Sequence, residues 1–307
     1  MSRPEFDPNR QSAEYCPCGK SNHDGKFSPF VGYRDKGYCH SCLKTFFSDA
    51  PKGAPSIKEK KAAAPIAPPS FMPPEVLRKS LGKYDENTLI VFLGKLTSPE
   101  TAVKIINDYF IGTSRFWAGS TVFWQINIQK KILNGKIMQY TLCPDESSSI
   151  GLNCCRVRTN KPTIKWIHKL MKLWDFKLRQ CFFGEHLLAM FPDRKVGILE
   201  SEKSALIASA YHPDIIWLAS AGVGGLSDKK TKVLEGRDVT LFPDLKMFEV
   251  WKEKAASMRK QLPKAVIRTS DVLERMATED ERTDGLDLAD FLIRREWSKY
   301  GKANETA

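Results

Sequence analysis

The sequence predicts an α/β fold whose C-terminal third is a parallel sheet covered by helices, preceded by a basic α+β segment and a small metal-stabilised unit. Three observations predict it. Short apolar runs at Val196–Leu199, 215–219 and 239–242 alternate with stretches of helical spacing, the pattern of strand–helix–strand units. The runs end on Glu200, on a glycine-rich turn (Gly222, Gly224, Gly225) and on Asp244, so chemistry-bearing residues fall where ligands sit in parallel sheets, beyond the carboxyl ends of the strands. Two closely paired sets of cysteines near the N-terminus stand apart from this pattern.

The chain has 307 residues, enough for two modest domains and a small appendage. Hydrophobic residues make up 42% and charged residues 27%, the balance of a water-soluble globular protein, and no run is long and apolar enough to span a bilayer. The first residues carry no apolar signal core, so a cytoplasmic location without a membrane role is expected. A net charge of +12 favours a polyanionic partner, nucleic acid before membrane.

Taken in order, residues 1–50 contain Cys16 and Cys18, then Cys39 and Cys42, with a loop of about twenty residues between the pairs, the length found in zinc ribbons. Four such donors suit tetrahedral Zn²⁺, and a segment this short needs the metal to fold. The first pair is one residue tighter than usual, so His23 or His40 is an alternative ligand to one cysteine. A closed four-ligand set is structural rather than catalytic. Phe27, Phe30, Tyr33, Arg34, Lys36 and Tyr38 either stack on single-stranded nucleic acid or form the unit's small core; for the phenylalanines the core is the better reading.

Residues 51–74, rich in Pro, Ala and Lys, read as a semi-extended linker. The basic segment, 75–192, opens with helices. One runs from Asn87 to Leu96, and Ser98 caps the next, with Pro99 at its first position. A hairpin follows, its strands at 122–128 and 136–142 with Asn134-Gly135 as the turn signal. Lys130, Lys131, Lys136, Arg156, Arg158, Lys161, Lys165, His168 and Lys169 make this segment basic. Residues 166–190 are aromatic and read as helical; Trp117, Trp124, Trp166 and Trp174 are expected in the core. Cys143, Cys154, Cys155 and Cys181 show no ligand spacing and read as buried or incidental thiols.

The parallel-sheet domain spans 193–295. Glu200 and Asp244 offer two hard oxygen donors beside a glycine turn, which suits Mg²⁺. After Asp244 come a basic amphipathic helix (248–262), a fourth strand (265–270), a charged loop (278–283) and a last helix with Asp287 as its N-cap and Asp290 in its first turn. Residues 296–307 form a frayed tail.

Glu200-Ser201-Glu202-Lys203-Ser204-Ala205, the turn at 220–226 and Asp244-Leu245-Lys246 resemble, in that order, the three motifs of the toprim domain of bacterial and phage primases and of topoisomerases. Lys246 stands where the family has a second Asp. Asp284-Gly285-Leu286-Asp287-Leu288-Ala289-Asp290-Phe291-Leu292 resembles the segment that closes many primase toprim domains, and for Asp287 and Asp290 capping is preferred to metal binding. The hairpin from Val122 to Lys136 resembles the primase hairpin that carries a phosphate-facing cation, so the resemblance implies a catalytic role for Lys136 beside Glu200 and Asp244. The whole layout resembles an uncharacterised toprim primase-like family of bacterial mobile elements. The resemblance implies a DNA primase-like nucleotidyltransferase that uses structural Zn²⁺ and catalytic Mg²⁺ or Mn²⁺. It implies single-stranded DNA, nucleotides and a replicative helicase as partners, in replication of a mobile element. The alternatives are a non-catalytic DNA-binding replication or mobilisation factor on a degenerate toprim scaffold, which Lys246 favours, and a toprim nuclease.

Overall fold

A computed structural model describes residues 5–42, 44–46, 68–140 and 164–294. Most of the expected linker, Cys143, Cys154, Cys155, Arg156, Arg158, Lys161 and the tail at 296–307 lie outside the described residues. The chain divides into two compact units, Met1–Pro65 and Ile66–Ala307.

The first unit is a three-stranded antiparallel sheet in the order β1 (Phe27–Pro29), β2 (Gly37–Cys39), β3 (Thr45–Phe46). Its buried cluster is small: Ala13, Cys16, Phe27 and Cys39, with Cys42 and Phe46 against it. Phe30 is also buried and stacks on Phe6, so the phenylalanines belong to the core, while Tyr33 and Arg34 face solvent. A core this thin is supplemented by one buried amide. Asn22 Nδ2 donates to the carbonyls of Arg10, Ala13 and Phe27, and its Oδ1 accepts from Phe27 N at 2.6 Å. That side chain ties the cysteine-bearing loop to β1, replacing apolar burial with hydrogen bonds.

The second unit begins with α1 (Pro74–Arg78), α2 (Thr88–Leu96) and α3 (Pro99–Asp108). Asn87 caps α2 through Ile90 N, and Ser98 caps α3 through Thr101 N. An antiparallel sheet follows in the order β4 (Gly112–Ser114), β5 (Ser120–Ile126), β6 (Ile132–Met138), β7 (Ile164–Trp166). The β5–β6 turn occupies 127–131 rather than Asn134-Gly135. Asn127 Oδ1 accepts from Lys131 N at 2.8 Å, and Lys130 takes a φ of +61°, which closes the turn without glycine. Gly135 instead pairs with Trp124 inside the sheet. A Cβ there would lie 2.7 Å from Ile167 and 2.9 Å from the Trp124 ring, so close packing, not a turn, requires this glycine.

Residues 166–190 are helical only at α4 (Ile167–Leu170) and α5 (Leu187–Met190). The first stops because Lys172 turns to a φ of +55°, and Gly184 reaches +81° before the second. The parallel sheet then runs β11 (Val266–Thr269), β10 (Asp238–Leu241), β8 (Val196–Leu199), β9 (Ile216–Ala219). Between its strands lie α6 (Glu202–Tyr211), α7 (Asp228–Thr231) and α8 (Phe248–Gln261). Gly197 lets Trp217 lie flat across β8: a Cβ would meet the indole at 2.5 Å. After β11 come α9 (Val272–Met276), α10 (Glu279–Asp284) and α11 (Leu288–Arg294). The expected charged loop at 278–283 is thus mostly helix, started by a reciprocal capping box between Thr278 and Glu281.

A single apolar cluster joins the helices before the antiparallel sheet to the parallel sheet, through Leu93, Ile111, Phe123, Phe183, Ile198 and Trp217. Segments 75–192 and 193–295 therefore share one core. Of the tryptophans expected inside, Trp124 is fully buried and Trp174 is 82% exposed.

Candidate metal centres

In the first unit, the Sγ atoms of Cys16, Cys18, Cys39 and Cys42 all lie within 4.8 Å of one another. Each pair sits in a tight turn whose backbone points a donor at sulfur: Cys18 N to Cys16 Sγ and Cys42 N to Cys39 Sγ, both 3.4 Å. Such donors stabilise thiolates, the form that ligates metal. Contact with the Cys16 thiol lowers the Cys18 thiol to about 7, while burial raises that of Cys16. His40 is directed at Ser28 Oγ (3.2 Å), and the closely spaced group contains neither His40 nor His23. Four sulfurs and no histidine suit a closed tetrahedral ion, zinc above all.

In the second unit, β8 and β10 are parallel neighbours, with Ile198 opposite Leu241, so Glu200 and Asp244 emerge from adjacent strand ends. The glycine turn lies against Glu200. Ala221 N donates to the Glu200 carbonyl at 2.9 Å, and a Cβ on Gly222 would sit 3.6 Å from Glu200 Oε1. Asp244 is held at about 8, by burial first and then by the charges of Asp287, Glu200 and Asp290. The start of α11 thus adds two acids to the pair read from the sequence. Asp287 does cap: its Oδ1 accepts from Asp290 N at 2.9 Å, and Asp290 Oδ2 accepts from Asp287 N at 3.3 Å. It also faces Asp244, so capping and membership of the acid cluster are compatible roles for one carboxylate.

Two cations differ from their expected places. Lys246, set at a φ of +73°, is exposed and donates to the Thr283 carbonyl at 2.6 Å. The cation within the cluster is Lys203, 3.6 Å from Asp287 and 3.5 Å from Asp290. Burial opposes charge on Asp287, but Lys203 and the Ser204 hydroxyl (2.5 Å) hold its carboxyl below the usual range. Lys136 does not stand open to solvent. Its Nζ grips both oxygens of Glu202 at 3.0 and 2.8 Å, the side chains 9% and 2% exposed. Lys136 on β6 and Glu202 at the start of α6 therefore tie the antiparallel sheet to this helix two residues past Glu200.

Beside this pair, Lys230 Nζ donates to the Ser220 carbonyl at 2.9 Å and lies over the Phe182 ring. Burial lowers its amine to about 8, against the raising charges of Cys181, Glu202 and Glu185, and the charge of Lys136 adds to the lowering. Glu185 in turn accepts from Ile128 N and Phe182 N, pinning the β5–β6 turn. Nothing in the sequence assigns a role to Lys230, and Glu185 stands out only as part of Phe182-Phe183-Gly184-Glu185-His186, which resembles the segment preceding toprim in primases. Spacing marks neither, because both depend on contacts between segments far apart in the chain.

A unit with four clustered cysteines, together with an α/β body bearing carboxylates at the carboxyl edge of a parallel sheet, defines the class of this protein. The chain belongs to the family of the domain of unknown function DUF6371, whose sequence profile matches residues 87–245, from the cap of α2 to just beyond Asp244. No curated protein matches it in sequence. Among solved structures, the chain is similar to the primase fragment of the bacteriophage T7 primase-helicase protein, with 14% identity, a TM-score of 0.38, and coverage of 92% of this chain and 98% of that one. It is also similar to the zinc-binding and RNA polymerase domains of the Aquifex aeolicus primase (9% identity, TM-score 0.31, 67% of this chain and 54% of that one). A DNA primase domain from Pseudomonas aeruginosa is a third (11% identity, TM-score 0.31, 76% and 69%). No helix among the described residues is long and apolar enough to cross a membrane.

Proposed function

We propose that this protein is a DNA primase-like nucleotidyltransferase of toprim type, acting on single-stranded DNA in the replication of a mobile element. The observation that supports the reading is that Glu200 and Asp244 follow adjacent strands of the parallel sheet, where the charges of Asp287 and Glu200 raise the Asp244 carboxyl. These hard donors would hold Mg²⁺ or Mn²⁺, which supplies Lewis-acid polarisation of a nucleotide's phosphates and orientation of an attacking hydroxyl. Asp244 keeps a proton until about pH 8 and must surrender it to bind. Lys203 must leave Asp287 for the site to open, and its ammonium is then available to a phosphate oxygen. Lys136 acts at one remove: its bond to Glu202 holds the first turn of α6, and with it the loop bearing Glu200. The four cysteines would hold Zn²⁺ as a structural ion.

One observation favours the non-catalytic alternative. Among the described residues only the four cysteines form a group of three or more ligand atoms close together, all within 4.8 Å of one another, whereas Lys203 lies within the acid cluster as an internal counter-ion. The deciding experiment supplies single-stranded DNA, labelled nucleotides and Mg²⁺ or Mn²⁺ to wild type and Glu200→Gln. Metal-dependent synthesis lost in Glu200→Gln supports the enzyme. DNA binding without synthesis in either protein transfers the fold to the scaffold reading.

A further inference from the structure

Trp174 is 82% exposed in a segment the sequence would bury. Leu170, Met171, Leu173 and Leu178 around it are exposed as well. The same stretch carries Lys165, Lys169, Lys172, Lys177 and Arg179 against a single acid, Asp175. It is not a loose loop. Phe176 stacks on the buried His168 at 5.2 Å, Leu173 N donates to the His168 carbonyl, and Lys177 is tied by two hydrogen bonds to Ser70. A large aromatic ring is thus held out in water, on anchored backbone, among cations.

The segment leads into a cleft of about 670 Å³ lined by Leu178, Arg179, Gly224, Gly225, Lys229, Lys230 and Lys232, among other residues. Four of these are basic, and among the described residues no carboxylate lines the cleft. Its lining includes Gly224 and Gly225, of the same turn whose Gly222 lies against Glu200. A flat lipid surface does not fill a concave channel, whereas a chain of phosphates carrying unstacked bases matches both a cationic groove and an exposed ring.

We infer that a single-stranded nucleic acid runs along residues 165–180 into this cleft, with a base stacked on Trp174 and its phosphates neutralised by Arg179, Lys229 and Lys232. The inference rests on the primase-like reading for its ligand, but it requires no catalysis. The test measures anisotropy of labelled oligo(dT), and of an abasic phosphodiester strand of equal length, with the full chain. Trp174→Ala should weaken oligo(dT) about tenfold, Trp174→Phe should retain binding, and the abasic strand should not distinguish the three proteins. Lys229→Ala with Lys232→Ala should lower the slope of log affinity against log salt by about 1.4 for both strands. Because Trp174 packs in no core, the variants should keep the wild-type circular dichroism. Equal binding of oligo(dT) by wild type and Trp174→Ala overturns the inference. So does Trp174-dependent binding to phosphatidylserine vesicles that displaces oligo(dT), which makes the surface a lipid contact. Failure of primer synthesis with this binding pattern intact overturns the enzyme and leaves the strand path standing.

Discussion

The two candidate metal centres are built in opposite ways. The four cysteines sit in two tight turns, each with its own backbone donor to sulfur, and most of the geometry is local. The acids come from three places in the chain, the ends of β8 and β10 and the start of α11, and only the packed sheet brings them together. The first centre therefore organises its own surroundings, while the second is organised by a core that exists without it. A metal should be worth folding to the first unit and only occupancy to the second.

Zinc removal tests this contrast with the largest effect. The described residues of the first unit bury few apolar side chains, so its folding free energy is to a large extent the metal's, roughly 10–16 kcal/mol in comparable small sites. Cys39→Ser should abolish the bound zinc and unfold residues 5–46, seen as loss of amide protection in hydrogen exchange, while residues 68–294 keep theirs. If chelation leaves the first unit protected, the cysteines are not its organising element.

The Lys136–Glu202 pair comes next. With side chains 9% and 2% exposed, removing one partner strands a buried charge at a cost of about 3–5 kcal/mol. Lys136→Met should thus lower the melting temperature sharply, and Glu202→Leu in the same chain should restore most of it. Restored stability without restored synthesis would assign Lys136 to the reaction itself; restoration of both would leave it a positioning residue.

How much of this was legible depends on how far each feature reaches along the chain. Cysteine spacing and the cap at Ser98 are short-range, and the folded protein uses them as read, whereas Asn87, read as the first residue of its helix, is the cap of α2. Asn134-Gly135 misleads because a turn dipeptide and a glycine shaved for Trp124 look alike until the partner strand is present. Residues 171–186 carry apolar spacing that reads as helical, but the backbone breaks at Lys172 and leaves Trp174 outside. Lys246 and Lys203 exchange roles for a similar reason. Position in a motif put Lys246 near the acids, while a left-handed backbone at Lys246 turned its side chain to Thr283.

A smaller effect is the pH dependence of the acid centre. Asp244 titrates at about 8 in the folded protein against 3.8 as a free side chain, through burial and then the neighbouring Asp287, Glu200 and Asp290. Between those values the folded state holds a proton that the unfolded chain has lost, so in chelator this group's contribution to stability falls as pH rises. Asp244→Asn should flatten that part of the profile. Metal must displace the same proton, so Mn²⁺ affinity by titration calorimetry should rise up to tenfold per pH unit below about 8 and level off above it. Affinity independent of pH across that range places the ion elsewhere.

The smallest expected effect separates the two lysines. Lys246 is exposed and bonded to a backbone carbonyl, so solvent screens its charge from the acids, and its loss should cost under about 0.5 kcal/mol. Lys246→Ala should leave Mn²⁺ affinity within about twofold of wild type, within what a screened surface charge contributes. Lys203 touches Asp287 and Asp290 directly, and a metal must compete with it. Lys203→Met should therefore tighten Mn²⁺ by tenfold or more if the cluster is a metal site held shut by its own counter-ion. The calorimetric comparison needs only these two variants and wild type. If Lys246→Ala tightens the ion and Lys203→Met does not, the cation governing the site is the one the motif indicated, and the arrangement around Thr283 gives way when metal binds. If Lys203→Met abolishes binding, its ammonium holds the carboxylates in place for the ion and the counter-ion role assigned to it is wrong.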